Sequence, residues 1–399
     1  MFIGINCVEV RGHSMTELAY GKEIALGLEG ITINASTISD VDGVKGKLVY
    51  GGYDIEDLAR NSNFEEVTYL LWFGVLPKTD QLKKIQNDLA QERDLPDALI
   101  QILKLIPKNA NPMSVIRTAI SALGNIDSDA EDKSDEAFYR KSIRCTSKTA
   151  TMIAYYDRIR QGKELVHPVT DLSHAANFLY MLNGEKPSKI AERALDAALI
   201  LHADHSCNAS TFAGRVVAST LSDYYSSITA AVGALKGPLH GGANEEVMHM
   251  LYEIGTLDKV EEYVLTALNK KGGRIMGFGH RIYKSIDPRA AVLRDLAVEL
   301  FKGQGNKKYF EILKKVEEIT LREMKLKNKL VYPNVDFYSG WVYDALGLKM
   351  DLFPPIFALA RVAGWTAHYK EQLVDNRIYR PLLQYTGPQN LKWQPVVNR

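Results

Sequence analysis

Apolar residues recur at three- and four-residue intervals along nearly the whole chain, the period of helices with one buried face. Asn63 stands as an N-cap with Glu66 three residues later, and Phe64, Val67, Leu70 and Leu71 follow at helical spacing until Gly74 and Pro77. Ile190, Ala194, Leu195, Ala198 and Leu199 form a second stripe running up to His202. The stretch Thr211–Ala234 reads as one long, weakly polar helix closed by Gly237 and Pro238. Val247, Met250, Leu251 and Ile254 repeat the pattern, as do Leu293, Leu296, Ala297 and Leu300 ahead of Gly303. Pro354 and Pro355 open a last long helix containing Ile356, Leu359 and Ala363. Alternating runs are scarce; Lys47–Tyr50 before Gly51-Gly52 reads as a short hairpin arm. The absence of a βαβ rhythm argues against a doubly wound sheet, and the fold class predicted from the pattern is mostly α.

No low-complexity linker divides the 399 residues. The Gly/His-rich segment 237–242 and a second break near 340–352 bracket an inserted smaller domain. Composition changes this picture little: 46% hydrophobic and 24% charged residues describe a globular chain with ample core. The 49 Lys and Arg balance 48 Asp and Glu, without the basic excess of a nucleic-acid binder. Three scattered cysteines (Cys7, Cys145, Cys207) form no disulfide framework, so a cytoplasmic location is the expectation. Val216–Leu235 carries Asp223, tyrosines and serines and reads as a buried helix rather than a membrane span. Residues 1–14 have no signal-peptide core and read as a loose tail, with Met15 an alternative start.

The candidate chemistry lies in a few segments. His240 (Lys236-Gly-Pro-Leu-His-Gly-Gly242) and His280 (Met276-Gly-Phe-Gly-His280) are flanked by glycines, which place each ring on a tight turn beside exposed amides. A helix N-terminus nearby would keep such a ring neutral and able to donate to a developing oxyanion. Asp336, between a Pro-Asn turn and two aromatic residues, is expected to be partly desolvated and so a stronger base. Arg361 in the apolar helix must meet an internal acid or a bound anion, because an unpaired buried guanidinium is costly. Arg289, Arg377 and Arg380 extend the set; converging guanidinium forks point to a dicarboxylate, while Arg377 is expected to ion-pair at the surface.

Taken in order, HADHSCNAS, KGPLHGGANE, MGFGHRIYKSIDPR, PNVDFYSG, the ARVAGWTAH helix and a terminal Arg-Pro resemble the citrate synthase family of the short bacterial and archaeal type, which includes 2-methylcitrate synthases. The likeness runs from about Gly27 to Val397. It implies an all-helical homodimer with a large domain (1–240 and 347–399) and a small one (241–346) that closes over the substrates. It implies condensation of acetyl-CoA with oxaloacetate and hydrolysis of the citryl thioester, with acetyl-CoA as co-substrate and no cofactor or metal. Carried over by motif, Asp336 takes the methyl proton, His240 stabilises the enolate and His280 polarises the oxaloacetate carbonyl. His205, Arg289 and Arg361 would bind oxaloacetate, and Arg380 would reach the partner subunit's site. Arg274, Met276, Gly277, Phe278, Gly279 and Lys284 would meet CoA; Lys284 stands where many relatives have Arg, which keeps the charge but loses the fork.

Three readings compete with acetyl-CoA condensation. Propionyl-CoA differs by one methylene, which a pocket discriminates by only about 1–3 kcal/mol, so 2-methylcitrate synthesis or dual specificity stays open. His202 and His205 with Asp204 and Asp336 would be the donors of a metal-dependent hydrolase. A non-catalytic module that kept the fold is opposed by the presence of every expected catalytic residue.

Overall fold

The computed structural model describes residues 24–280, 282–303 and 307–398. The segment 1–14 and Met15 lie outside the described residues, as does Arg281 beside His280. The chain divides into two units, Met1–Ser36 and Thr37–Arg399. Of the first, the described part carries a 3₁₀ turn at Leu26–Leu28 and no longer helix or strand.

The second unit opens on a small antiparallel sheet, β1 (Ser39–Asp42), β2 (Lys47–Tyr50) and β3 (Tyr53–Asp54), in the order β1-β2-β3. Ser39 pairs with Tyr50, which makes the anticipated arm Lys47–Tyr50 the central strand. Helices follow: α1 (Ile55–Asn61), α2 (Phe64–Phe73), α3 (Thr79–Gln91), α4 (Asp97–Leu105), α5 (Pro112–Ile126), α6 (Asp135–Gln161), α7 (His174–Asn183) and α8 (Lys189–His202). Then come α9 (Ala209–Ser219), α10 (Tyr224–Leu235), α11 (Ala243–Ile254), α12 (Val260–Asn269), α13 (Pro288–Gly303), α14 (Lys307–Leu326), α15 (Val335–Ala345) and α16 (Phe353–Val374). The fold is all-α. Among the described residues no helix is long and apolar enough to cross a membrane.

The stripes read from the sequence are buried: Val247, Leu251, Leu293 and Ala297 are fully covered, as are Ile356, Leu359 and Ala363. Asn63 caps α2 by accepting from Glu66 N, and Gly74 ends it in the left-handed conformation. The Glu66 side chain completes no capping box; it accepts from the Ser62 hydroxyl instead. The expected single helix Thr211–Ala234 is two. Leu221 takes a positive φ of 64°, and the Asp223 side chain caps α10 by accepting from Ser226 N. The resulting hairpin lets α9 and α10 pack on each other, with α10 also against α5 and α9 against α16.

Helix α16 is the spine of the core, meeting α2, α6, α8, α9 and α10. Its approach to the end of α8 demands Gly364, because a Cβ there would lie 2.3 Å from Ala203 O and 2.6 Å from Asp204 Oδ1. Helices α11–α15 fall within the span expected for the inserted domain. Among them α11 packs on α14 and α15, α13 on α15 and α12 on α14, while α13 and α15 also contact α8. Arg289 on α13 and Asp336 on α15 thus come to the end of α8, where His205 follows.

Candidate active site

Backbone bonds first tie the histidine turn to the aspartate helix. Gly279 N donates to Tyr332 O (2.9 Å), Asn334 N to Gly277 O (2.8 Å) and Asn334 Nδ2 to Gly279 O (2.8 Å). Gly277 is required here: its φ is 76°, and a Cβ would lie 2.8 Å from Phe337 Cα. His280 and Asp336 are thus held in one frame, with Phe278 against Phe337 at 4.9 Å between ring centroids.

Both glycine-flanked histidines are neutral, for a reason the sequence half anticipates. Burial pulls His240 down to about 4, and the Arg361 charge adds to the effect. Its Nε2 accepts from Ser210 N at 3.2 Å, with the Ser210 hydroxyl at 2.9 Å. Ser210 N is one of the unpaired donors in the first turn of α9, so the helix N-terminus is reached across space rather than along the chain. A backbone N–H only donates, so the His240 proton resides on Nδ1. His280 is also pulled to about 4, by burial first and the Arg289 charge second. Its Nδ1 accepts from Ile282 N (3.1 Å) and Tyr283 N (3.2 Å), which leaves its proton on Nε2. The two rings are therefore opposite tautomers, each aiming one N–H away from its anchor.

Asp336 is half-buried in the first turn of α15, which Asn334 caps by accepting Asp336 N at 3.0 Å. Among the described residues no hydrogen bond reaches its carboxylate. Burial raises it to about 6, against the opposing charges of Arg289 and Arg361. Arg289 is held by the buried carboxylate of Asp287 through Nε (3.0 Å) and Nη2 (2.8 Å). The same carboxylate accepts Val335 N at 3.1 Å, so Asp287 fastens Arg289 to the start of the Asp336 helix.

Arg361 is 1% exposed and pairs with no carboxylate within ion-pair distance among the described residues. Its Nε donates to His202 O at 2.6 Å, and the guanidinium lies 4.7 Å from the Phe357 ring centroid. Burial pulls it down to about 10, against the raising influence of Asp204 and Tyr50. Its charge is felt at His205, His240 and Asp336. Of the two alternatives posed for this residue, the internal acid is absent as a direct partner and the bound anion remains.

His205, also buried, stands 5.3 Å from the His280 ring and shares a hydrogen bond with the Tyr283 hydroxyl. Its loop is fixed from behind by Asp204, which accepts from Ser206 N (3.2 Å) and faces His368 Nε2 at 3.2 Å. Arg215 Nη1 meets His368 Nδ1 at 3.0 Å and Glu371 at 2.8 Å, which completes a buried polar chain across α9 and α16. His202, by contrast, turns to Ala198 O (2.7 Å) and to the Phe357 ring. The two histidines of the postulated metal pair diverge, and among the described residues no three His, Cys, Asp or Glu side chains form a metal-holding group.

The remaining residues lie around the rim. Arg274, Met276 and Lys284 are exposed, Phe278 and Gly279 are half-buried, and Gly277 is buried. Lys284 N donates to Gly43 O at 2.8 Å, which lays this segment on the β1–β2 turn. Arg380 is exposed and follows the end of α16 in the chain. Arg377 is exposed too and makes no ion pair among the described residues, against the expectation of surface pairing. Ser210, Tyr283 and Asp287 had not been singled out, although each sits inside a quoted motif. For Ser210 the usable signal was Asn208, an N-cap two residues before it.

Two neutral imidazoles of opposite tautomer, a carboxylate of raised basicity and a buried guanidinium with no carboxylate partner among the described residues stand on an all-helical frame. Residues 27–382 match the family model described as citrate synthase, C-terminal domain. The chain is 49% identical to citrate synthase 2 of Bacillus subtilis, over 94% of this chain and 98% of that protein. It is 46% identical to citrate synthase of Deinococcus radiodurans, over 94% and 99%. Citrate synthase from Pyrobaculum aerophilum superimposes with a TM-score of 0.89 at 42% identity, covering 94% of this chain and 95% of that one. The Thermoplasma acidophilum citrate synthase, solved as a ternary complex with carboxymethyl coenzyme A and oxaloacetate, gives 0.87 at 34%, covering 94% and 100%. This chain belongs to the citrate synthase family. It is an enzyme that transfers acyl groups, of the citrate synthase type.

Proposed function

We propose that the chain condenses acetyl-CoA with oxaloacetate and hydrolyses the resulting thioester to citrate and CoA, with acetyl-CoA as co-substrate and no further cofactor. The observation that carries this reading is Arg361, a buried cation without a carboxylate partner among the described residues, whose charge acts on His205, His240 and Asp336 alike. A dicarboxylate bridging Arg361 and Arg289 would supply the missing negative charge, and His205 would hold its remaining oxygens. The Thermoplasma relative binds oxaloacetate beside a CoA analogue, which favours the same pair of ligands here.

The chemistry follows from protonation states. The Asp336 carboxylate removes a methyl proton from the thioester, and the C–H electron pair moves into an enolate. His240 Nδ1–H donates to the enolate oxygen as charge develops, and a neutral donor suits that task better than a cation that would trap the product. The enolate carbon attacks the oxaloacetate carbonyl, whose oxygen receives the hydrogen bond of His280 Nε2–H. The proton held by Asp336 returns to the citryl alkoxide; water then attacks the thioester, its OH forming the new carboxyl group as the C–S bond breaks and its remaining proton leaving with CoA as the thiol. In this reading the small domain, 241–346, closes on the large one (1–240 and 347–399) to exclude water before condensation. Arg274, Met276, Gly277, Phe278, Gly279 and Lys284 line the CoA entry, and Arg380 serves the site of a second subunit in a homodimer.

The test is thiol release from purified protein with oxaloacetate and acetyl-CoA, repeated with propionyl-CoA. The reading predicts turnover with both and a higher kcat/KM for acetyl-CoA. A higher value for propionyl-CoA would make the enzyme a 2-methylcitrate synthase, and no thiol release with either would overturn the reading.

A further inference from the structure

Tyr283 has no part in the steps above, yet it touches three of the groups assigned to oxaloacetate. Its hydroxyl lies 3.2 Å from His205 Nε2. Its ring stands 4.7 Å from the His280 ring at an angle of 40°, and 5.6 Å from His205 edge to face. The Arg289 guanidinium lies 5.8 Å from its centroid. The side chain is 4% exposed, whereas Ile282 and Lys284 on either side are both exposed. The segment turns this one ring inward, with Tyr283 N bound to His280 Nδ1 and Lys284 N to Gly43 O.

A residue that only fills space has no use for a buried hydroxyl, which costs free energy unless it is bonded. Phenylalanine would fill the same volume. Here the hydroxyl finds a ring nitrogen of the substrate set, and burial keeps the phenol protonated. A histidine ring rotates broadly about its last torsion, so a fixed partner removes freedom that substrate binding would otherwise have to freeze.

We propose that Tyr283 is a positioning residue for oxaloacetate: its hydroxyl sets the rotation of His205, and its ring face aligns His280 and Arg289 before the substrate arrives. The proposal rests on the reading of this site as the oxaloacetate site. It identifies a determinant of oxaloacetate affinity that touches none of the acyl-CoA chemistry.

The experiment compares wild-type enzyme with Tyr283→Phe and Tyr283→Leu by steady-state kinetics in both substrates, alongside thermal melting. Tyr283→Phe should raise the oxaloacetate KM roughly tenfold, with kcat and the acetyl-CoA KM within about twofold and the melting temperature preserved. Tyr283→Leu should raise the same KM and also lower kcat, because His280 loses the ring beside it. An unchanged oxaloacetate KM in Tyr283→Phe overturns the proposal. So does a parallel loss in both KM values and melting temperature, the mark of simple core packing. A wild-type enzyme that does not turn over oxaloacetate would instead overturn the functional reading beneath it, which separates the two failures.

Discussion

Ser210 and His240 are thirty residues apart in sequence and joined at the ring: Ser210 N donates to His240 Nε2 at 3.2 Å, and the Ser210 hydroxyl lies 2.9 Å from the same nitrogen. The contact determines where the imidazole proton is, and hence which ring nitrogen can stabilise an enolate. The two bonds are not equivalent. The single hydroxyl proton is contested by Asn208 Oδ1 (2.7 Å), and the oxygen accepts from Trp365 Nε1 (3.1 Å), whereas the backbone N–H survives any ordinary substitution. Ser210→Ala should therefore slow turnover only about threefold. His240→Ala should slow it on the order of 100- to 1000-fold, as for loss of an oxyanion donor. Stopped-time thiol release on both variants checks the contrast.

The pH dependence should follow Asp336. Its carboxyl is raised to about 6 by burial, and the base works only when ionised, so kcat/KM for acetyl-CoA should fall as pH drops below about 6. His240 and His280, both near 4, remain neutral across that limb. The same shift has a sign for stability. A carboxyl raised in the folded state holds its proton more tightly there than in the unfolded chain, so stability declines as pH rises from the ordinary aspartate value of 3.8 to about 6, and the cost is full above that. Asp336→Asn should consequently melt a few degrees higher than wild type at pH 7, and calorimetry across pH 4–8 would follow the gain as it grows.

Gly364 ties the spine helix to the loop that carries His205. Ala at this position would drive a methyl group into Ala203 O, a backbone atom that cannot swing aside, and into the buried carboxylate of Asp204. Gly364→Ala should cost on the order of 1–3 kcal/mol by overpacking and raise the oxaloacetate KM, because the displaced Asp204 carries the His205 loop. Denaturant melts and steady-state kinetics on the same preparation measure both effects.

Much of the helical frame was legible along the chain because each buried stripe is a local periodic property: Val247, Leu251, Leu293 and Leu359 follow from spacing alone. The break within Thr211–Ala234 was missed although Asp223 is a local N-cap signal, because the apolar pattern runs on through it and the positive φ falls on a leucine, a residue that does not mark a turn. The site divides the same way. His240, His280, Asp336 and Arg361 stood out because glycine turns, aromatic neighbours or an apolar helix made their settings unusual in sequence. Ser210, Tyr283 and Asp287 act through partners that folding brings close: His240, His205, and Arg289 together with Val335 N. Asp287 is the nearest miss, one proline away from Arg289, with a fork whose second partner lies 48 residues on.

Arg380 is exposed in the single chain and so offers a direct test of a shared site. In the proposed homodimer, Arg380→Ala and Asp336→Asn should each impair activity. Mixed dimers of the two should regain about half of wild-type activity, because one site then has both Asp336 and Arg380. Activity that stays at the average of the two impaired parents would place Arg380 outside the partner's site.

The central claim is that Asp336 takes the proton and does not hold oxaloacetate. It is tested most directly by Asp336→Asn, measuring thiol release with saturating substrates and oxaloacetate affinity by calorimetry on one sample. The account predicts a loss of at least roughly 100-fold in turnover, with oxaloacetate affinity within about threefold of wild type. Substantial residual turnover, or oxaloacetate binding lost together with activity, would contradict it.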